Sequence, residues 1–347
     1  MSDSSRELAS KANEDFCGRE GILERLATEL LPPKNRVTAS GTALRQFALG
    51  GFGGIGKTEI AREFARRHKH SFDAVFWVVA DEIVKLDHHY QQISLALGLE
   101  DLSEPKSQVV SKEIVKGWLS NPRKHVSQSD DSVQPGEGEG SSEATWLLIF
   151  DNADDPMIRT DYWPQGSGSI LVTSRDPSSK DMFTRRPSGL DLGPLSQQDS
   201  LSLFNHLTTT SNEPEVDAAR QISDTLGGIP LAISQMAGII RRQDLKLSEF
   251  LELYMDHEEH ASLYGTKFDT NLVPYRHTLS TVWAFGKLKP QSQQLLELIS
   301  FLDPDSIGED LLEASVGILS EGTPFKKSNY IEARTDLLQS SLVQRDK

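Results

Sequence analysis

The apolar positions of the chain fall into blocks of different period. Between residues 14 and 31, Ile22, Leu23, Leu26, Ala27, Leu30 and Leu31 recur at helical spacing. That run stops at Pro32 and Pro33, whose missing N–H groups end a helical ladder. Residues 45–49 are a short strand candidate that leads into a cluster of glycines. Residues 57–68 follow as a helix with Ile60, Ala61, Phe64 and Ala65 on one face. The aromatic and β-branched run FDAVFWVVA at 72–80 predicts a strand covered on both sides, as in a parallel sheet. Helical spacing returns near 84–98 and 108–119, and Trp146, Leu147, Leu148, Ile149 and Phe150 predict a buried strand. A further strand, 169–173, follows a Gly-Ser-Gly turn. Strands alternating with helices at these lengths predict α/β architecture with a mainly parallel sheet.

Two stretches break the alternation. Residues 121–144 carry almost no apolar side chains and many Ser, Gly and acidic residues, so nothing there repays the entropy of ordering and a flexible insertion is expected. After Leu192 strand signals nearly vanish, and helical patterns cover about 197–208, 215–226, 229–241 and 247–256, with a second helical block from about 278 onward. The expected organisation is a loose N-terminus (1–15), a sheet domain (16–195), a helical domain (196–270) and a small helical module (271–347). A chain of 347 residues has room for this, at roughly 100–200 residues per domain.

Charge and cysteine content narrow the chemistry. A formal net charge of -15 repels phosphate backbones and anionic membranes, which argues against generic nucleic-acid binding but leaves room for a local basic site. A single cysteine excludes an internal disulfide and any multi-cysteine metal site. No apolar stretch approaches the 18 or so residues of a membrane span, and the first twenty residues do not read as a signal peptide, so a soluble, cytoplasmic protein is expected.

The glycine cluster is GFGGIGKT at 51–58, a complete G-x-x-x-x-G-K-[ST] run with a strand before it and an amphipathic helix after it. Gly51, Gly53, Gly54 and Gly56 reach backbone angles that side chains forbid, so successive N–H groups can turn toward one anion. The following helix adds its unsatisfied N-terminal donors. Lys57 offers a cation to the outer phosphates, and the Thr58 hydroxyl suits a Mg²⁺ ligand. The Lys-Thr pair favours a nucleoside di- or triphosphate over the dinucleotides of glycine-rich Rossmann turns. The run LLIFD places Asp151 at the carboxyl end of a buried strand, where open α/β sheets bind ligands, and Asp151 is the expected metal organiser. Asn152 beside it can orient water but cannot take its proton. Arg175 leaves the strand ILVTS at the same edge, where its fork of donors could meet a terminal phosphate; pairing with Asp176 is the plainer alternative.

With these motifs in order, the chain resembles the NB-ARC family of STAND signalling ATPases, the nucleotide switches of plant resistance and apoptosome-forming proteins, and most closely their fungal branch. The run FCGRE (16–20) is similar to the family's opening motif, LLIFDNAD (147–154) to its acidic strand, and SILVTSRD (169–176) to its sensor strand. LDLGPLSQQDSLSLF (190–204) resembles the lead into the first helical subdomain, and LGGIPLA (226–232) the G-x-P signature. Pro230 there interrupts an otherwise helical pattern, a local fault that periodicity alone does not predict. The resemblance implies a P-loop NTPase parallel-sheet domain, a helical ARC1 subdomain and a partial winged-helix subdomain. It implies ADP or ATP with Mg²⁺ as ligand, Lys57, Asp151, Asn152 and Arg175 as the catalytic set, and Thr58 and Asp151 on the metal. The nucleotide contacts it implies are Phe16, Arg19, Gly51, Gly53, Gly54, Ile55, Gly56, Lys57, Thr58, Glu59, Pro230 and Leu231, with Pro230 near the adenine. The chain stops before the place where the family's winged helix delivers a histidine to the nucleotide, and the family's sensor and effector domains are expected to be missing.

Several function classes follow. An ADP/ATP switch in innate-immune or cell-death signalling, self-associating in its ATP state, is the leading expectation. A P-loop ATPase with ordinary turnover is disfavoured by Asn152, so weak Mg-dependent hydrolysis is expected at most. A GTPase would need an Asn-Lys-x-Asp motif, which the chain lacks after the loop. A winged-helix DNA regulator is disfavoured by residues 291–321, which carry seven acidic residues and no Lys or Arg. A non-catalytic protein-interaction fragment is the remaining alternative. The basic clusters at 66–70, 185–186 and 241–242 read as solvated helix ends, Cys17 as a small packed hydrophobe, and HEEH at 257–260 lacks zinc-protease spacing.

Overall fold

The computed structural model describes residues 13–33, 44–101, 103, 106–123, 143–184, 188–208, 215–255, 288–302, 307–316, 327–339 and 342–343. Most of the insertion expected at 121–144, residues 1–12 of the loose N-terminus expected at 1–15, Arg185-Arg186 and the HEEH run lie outside the described residues. Arg123 and Glu143, at the margins of the insertion, pair as an isolated antiparallel bridge. The chain divides into two compact units. One comprises Met1–Gly50, Lys57–Ser174 and Ser178–Asp191; the other comprises Gly51–Gly56, Arg175–Pro177 and Leu192–Lys347.

The first unit is built on five parallel strands, β1 (Arg45–Gly50), β2 (Ala74–Val79), β3 (Trp146–Asp151), β4 (Ser169–Thr173) and β5 (Gly189–Asp191), in the order β2-β3-β4-β1-β5. Three of these, β1, β3 and β4, are buried over almost their whole length because helices cover both faces. Alternation divides the side chains between those faces. Phe76, Val78, Trp146, Leu148, Phe150, Ile170 and Val172 meet Tyr90, Ile93, Val115 and Leu119 of α3 (Ile83–Ala96) and α4 (Gln108–Ser120). On the opposite face, Arg25 of α1 (Glu20–Leu30) lies over the Phe47 ring and Arg62 of α2 (Lys57–His68) over Trp77. Trp146 sits so close to the chain that a Cβ at Gly168 would come within 2.2 Å of its ring. The Gly-Ser-Gly turn is therefore required by packing as well as by turn geometry.

The helix expected from residue 14 begins only at Glu20, because Gly18 and Arg19 both take left-handed angles, φ 70 and 67. It ends where Leu31 turns extended ahead of Pro32, as the residue before a proline prefers. Two short helices, α5 (Met157–Asp161) and α6 (Ser179–Met182), and the three-residue β5 were not foreseen.

In the second unit, α7 (Gln197–Thr208) packs against both α8 (Val216–Thr225) and α9 (Pro230–Gln243), α10 (Leu247–Met255) packs against α8, and α9 is buried on every side from Leu231 to Ile240. Pro230 opens α9 instead of interrupting a helix, the position where its fixed φ and missing N–H cost nothing. Helices α11 (Pro290–Ile299), α12 (Glu309–Val316) and α13 (Lys327–Gln339) enclose a separate core of Leu288, Leu295, Leu312, Tyr330, Ala333 and Leu337. Among the described residues no helix is long and apolar enough to cross a membrane.

Candidate functional site

The register brings two polar residues together at the carboxyl edge of the sheet. Phe150 of β3 pairs with Val172 of β4, so Asp151 and Thr173 end adjacent strands side by side. Helix α2 starts after the glycine loop, and its second residue, Thr58, donates its hydroxyl proton to Asp151 Oδ1 at 2.8 Å. The Thr173 hydroxyl donates to the same oxygen at 2.6 Å. Asp151 is only 5 % exposed. Burial pushes its carboxyl above the ordinary value, against the opposing pull of the Thr173 and Thr58 hydroxyls and the Arg62 and Lys57 charges. Lys57 is buried as well.

Asn152 leaves β3 with φ 60, a left-handed conformation that asparagine tolerates better than most residues. Its N–H donates to Thr173 Oγ1 at 3.0 Å, and the N–H of Ala153 to the Thr173 carbonyl at 2.8 Å. Ser174 continues the bracket, its hydroxyl on Asp154 Oδ1 at 3.0 Å and its N–H on the Leu49 carbonyl of β1. Glu59 accepts from Asn13 Nδ2 and from Arg62 Nη1, both at 2.9 Å. The N-terminal segment is thus tied to α2, and Phe16, whose N–H bonds the Asn13 carbonyl, stands in that segment. The carbonyl of Arg19 accepts the N–H groups of Ile22 and Leu23 and so starts α1.

Within the second unit, the loop Gly51–Gly56 lies against the start of α9. The N–H of Leu231 donates to the Gly54 carbonyl at 3.2 Å. Gly51, Gly54 and Gly56 have φ 137, 84 and 97. A Cβ at Gly54 would stand 2.9 Å from Leu231 Cβ, so both angle and space require glycine there. Pro230 Cγ is 3.9 Å from the same point at Gly56, and Ile55 is fully buried. Arg175, half-buried, belongs to this unit too.

The sequence-derived residues therefore gather into two sets. Lys57, Thr58, Glu59, Asp151 and Asn152 stand together in the first unit, and Gly51, Gly54, Gly56, Pro230 and Leu231 in the second. Thr173, Asn13 and Arg62 were not assigned roles from the sequence. A polar residue ending an otherwise apolar strand was the signal available for Thr173. The donor set fits a magnesium nucleotide: one buried carboxylate and one hydroxyl suit a cation that keeps water and phosphate as its other ligands. The positive φ of Gly51, Gly54 and Gly56 is backbone geometry that residues with side chains rarely adopt, as a loop that turns its N–H groups toward an anion requires.

Several known proteins resemble this chain. Residues 24–131 match the NB-ARC domain, and residues 283–347 match a domain of unknown function, DUF7779. An NLR-like protein of the fungus Hyaloscypha variabilis is 27% identical over 262 residues, 70% of this chain and 24% of that protein. A putative disease resistance protein of Arabidopsis thaliana is 31% identical over 264 residues, 69% of this chain and 27% of its own length. The chain thus spans about a quarter of the length of the curated relatives it matches. Among solved structures, Cdc6p of Pyrobaculum aerophilum superposes with a TM-score of 0.44 at 15% identity, covering 100% of this chain and 92% of that one. A STAND protein with a tetratricopeptide repeat sensor from Pyrococcus horikoshii gives 0.38 at 12% identity, covering 97% and 41%.

Proposed function

We propose that this chain, an NB-ARC protein by its match over residues 24–131, is an adenine-nucleotide switch of the STAND signalling type, with ADP as the resting ligand and ATP as the activating one. The observation that carries this reading is the joint hold of Thr58 and Thr173 on the buried Asp151 carboxylate, directly after a glycine loop with three positive-φ residues. Magnesium, when bound, neutralises phosphate charge. Thr58 and Asp151 are the residues that would hold it, Lys57 would meet the outer phosphates, and the loop N–H groups would orient them. Pro230 and Leu231 would lie toward the adenine, with Phe16, Arg19 and Glu59 completing the contacts and Arg175 reporting the γ-phosphate.

Asn152 stands where a general base would be most useful and cannot accept a proton, so hydrolysis is slow and serves to reset the switch. Turning a 1:99 equilibrium into 99:1 takes about 5.5 kcal/mol of differential affinity between the two nucleotides. On this reading residues 16–195 form the nucleotide domain, 196–270 an ARC1-like subdomain and 271–347 part of a winged-helix subdomain. The ATP state self-associates, and the protein works in the cytoplasm in innate-immune or cell-death signalling.

The test is to purify the chain without added nucleotide, denature it, and identify what is released by chromatography and mass. Near-stoichiometric ADP supports the switch. A protein that releases nothing and then binds neither ADP nor ATP with Mg²⁺ refutes it.

A further inference from the structure

We propose that Thr173 is a positioning residue that selects which carboxylate oxygen of Asp151 faces the bound cation; this rests on the nucleotide-site reading above. Thr173 is fully buried at the end of β4. Its Oγ1 accepts the Asn152 N–H at 3.0 Å, so its one proton is left to point at Asp151 Oδ1, 2.6 Å away. Thr58 donates to that same oxygen at 2.8 Å. Two donors therefore converge on Oδ1, and among the described residues none falls on Oδ2.

The bracket has a further arm in the backbone. The Thr173 carbonyl holds the Ala153 N–H at 2.8 Å, so one residue fixes the carboxylate, the left-handed Asn152 and the residue after it. Rotation of the Asp151 carboxylate is thereby stopped, and Oδ2 is the oxygen presented to a cation. Magnesium demands near-octahedral geometry, so its affinity is sensitive to the orientation of a carboxylate that a nucleotide alone need not touch. Valine would fill the space of Thr173 while offering neither donor nor acceptor. Serine would keep both and lose only a methyl group.

This gives a readout that a purely structural role would not move. ADP affinity of the nucleotide-stripped full chain is measured calorimetrically in EDTA and in excess MgCl₂, for the parent and for Thr173→Val and Thr173→Ser. The parent binds more tightly with magnesium. T173V loses about tenfold or more of that enhancement, the scale of a hydrogen bond to a charged group, while its affinity in EDTA stays within about twofold. T173S keeps the enhancement to within about threefold. If T173V does not fold, Thr173→Cys, which keeps only a weak donor, takes its place and falls below T173S.

An unchanged magnesium enhancement in T173V overturns the proposal, as does an equal fall in EDTA and in magnesium. A parent chain that binds ADP with no magnesium enhancement overturns it too, while leaving nucleotide binding intact. A parent chain that binds no adenine nucleotide under either condition removes the switch reading itself, and this role with it.

Discussion

At the end of β3, Asp151 is held by two hydroxyl donors in a buried, hydrogen-bonded cluster. At the start of α9, Leu231 meets the glycine loop through one backbone hydrogen bond and an apolar side chain that occupies the space a Cβ at Gly54 would need. The first arrangement is polar and directional, and a small change of geometry there alters which atom faces a ligand. The second is steric, and it tolerates changes of chemistry as long as volume is respected. Polar brackets of the first kind suit a cation, and a steric seat of the second kind suits a backbone cradle that has to keep its shape.

The largest expected effect breaks the steric seat. Gly54→Ala combines an unfavourable φ of 84 with a 2.9 Å approach to Leu231 Cβ. Strain and overpacking each cost about 1–3 kcal/mol, and ADP affinity is expected to fall by about 100-fold or more in a calorimetric titration. Adding Leu231→Gly removes the Cβ contact but not the angle, so the double variant recovers part of the loss. A double-mutant cycle with coupling of about 0.5–3 kcal/mol measures the steric share. Full additivity would show that Leu231 does not constrain the loop.

Next is the polar bracket. Asp151→Asn keeps an oxygen that can accept from Thr58 and Thr173 and removes the charge that burial disfavours. It is expected to abolish the magnesium enhancement of ADP binding while raising the melting temperature of the nucleotide-free protein. The rise is about 2–4 °C for each kcal/mol of relieved desolvation. The sign follows from linkage: a carboxyl whose folded pKa is raised lowers stability at neutral pH and returns it as pH falls through that value. A lower melting temperature in D151N would mean that the charge is compensated in the folded protein.

A smaller effect concerns the ionic cluster on α2. Glu63 accepts from Arg66 Nη2 at 2.7 Å and Arg67 Nε at 2.7 Å, and Arg67 also grips Glu20 of α1. The Arg66 hydrogen bond, with Arg67 behind it, holds the Glu63 carboxyl below its ordinary value of 4.5. Its stabilisation is therefore complete above that value and is lost as pH falls through the depressed folded one. Both arginines are about a third or more exposed, so solvent screening limits the contribution to about 0–1 kcal/mol. Glu63→Gln is expected to flatten the acid limb of a melting-temperature profile and change little at pH 7.

Much of this was legible in the sequence, for physical reasons that differ by region. The runs at 146–150 and 170–172 are continuously apolar because both faces are covered, and the glycine loop is written in residue types that only such a turn requires. Asp151 was readable as the first charge after a buried strand. Thr173 was not, because its role depends on a strand register that brings it beside Asp151, 22 residues away in sequence, which no local pattern encodes. Pro230 looked like a fault in a helix until the helix was seen to begin there. The start of α1 was misplaced because the helical range was carried back to residue 14, where no apolar spacing supports it and two consecutive left-handed residues, Gly18 and Arg19, precede the helix. β5 pairs through only three residues, too few for a period to register.

The most direct test of the central claim is thermal unfolding of the nucleotide-stripped chain with Mg²⁺ and either ADP or GDP. The account predicts a saturable rise with ADP, worth about 2.7 kcal/mol at a hundredfold excess over Kd, and a much smaller one with GDP. An unchanged melting temperature at millimolar ADP would contradict it, and equal shifts with both nucleotides would contradict the adenine contact assigned to Pro230 and Leu231.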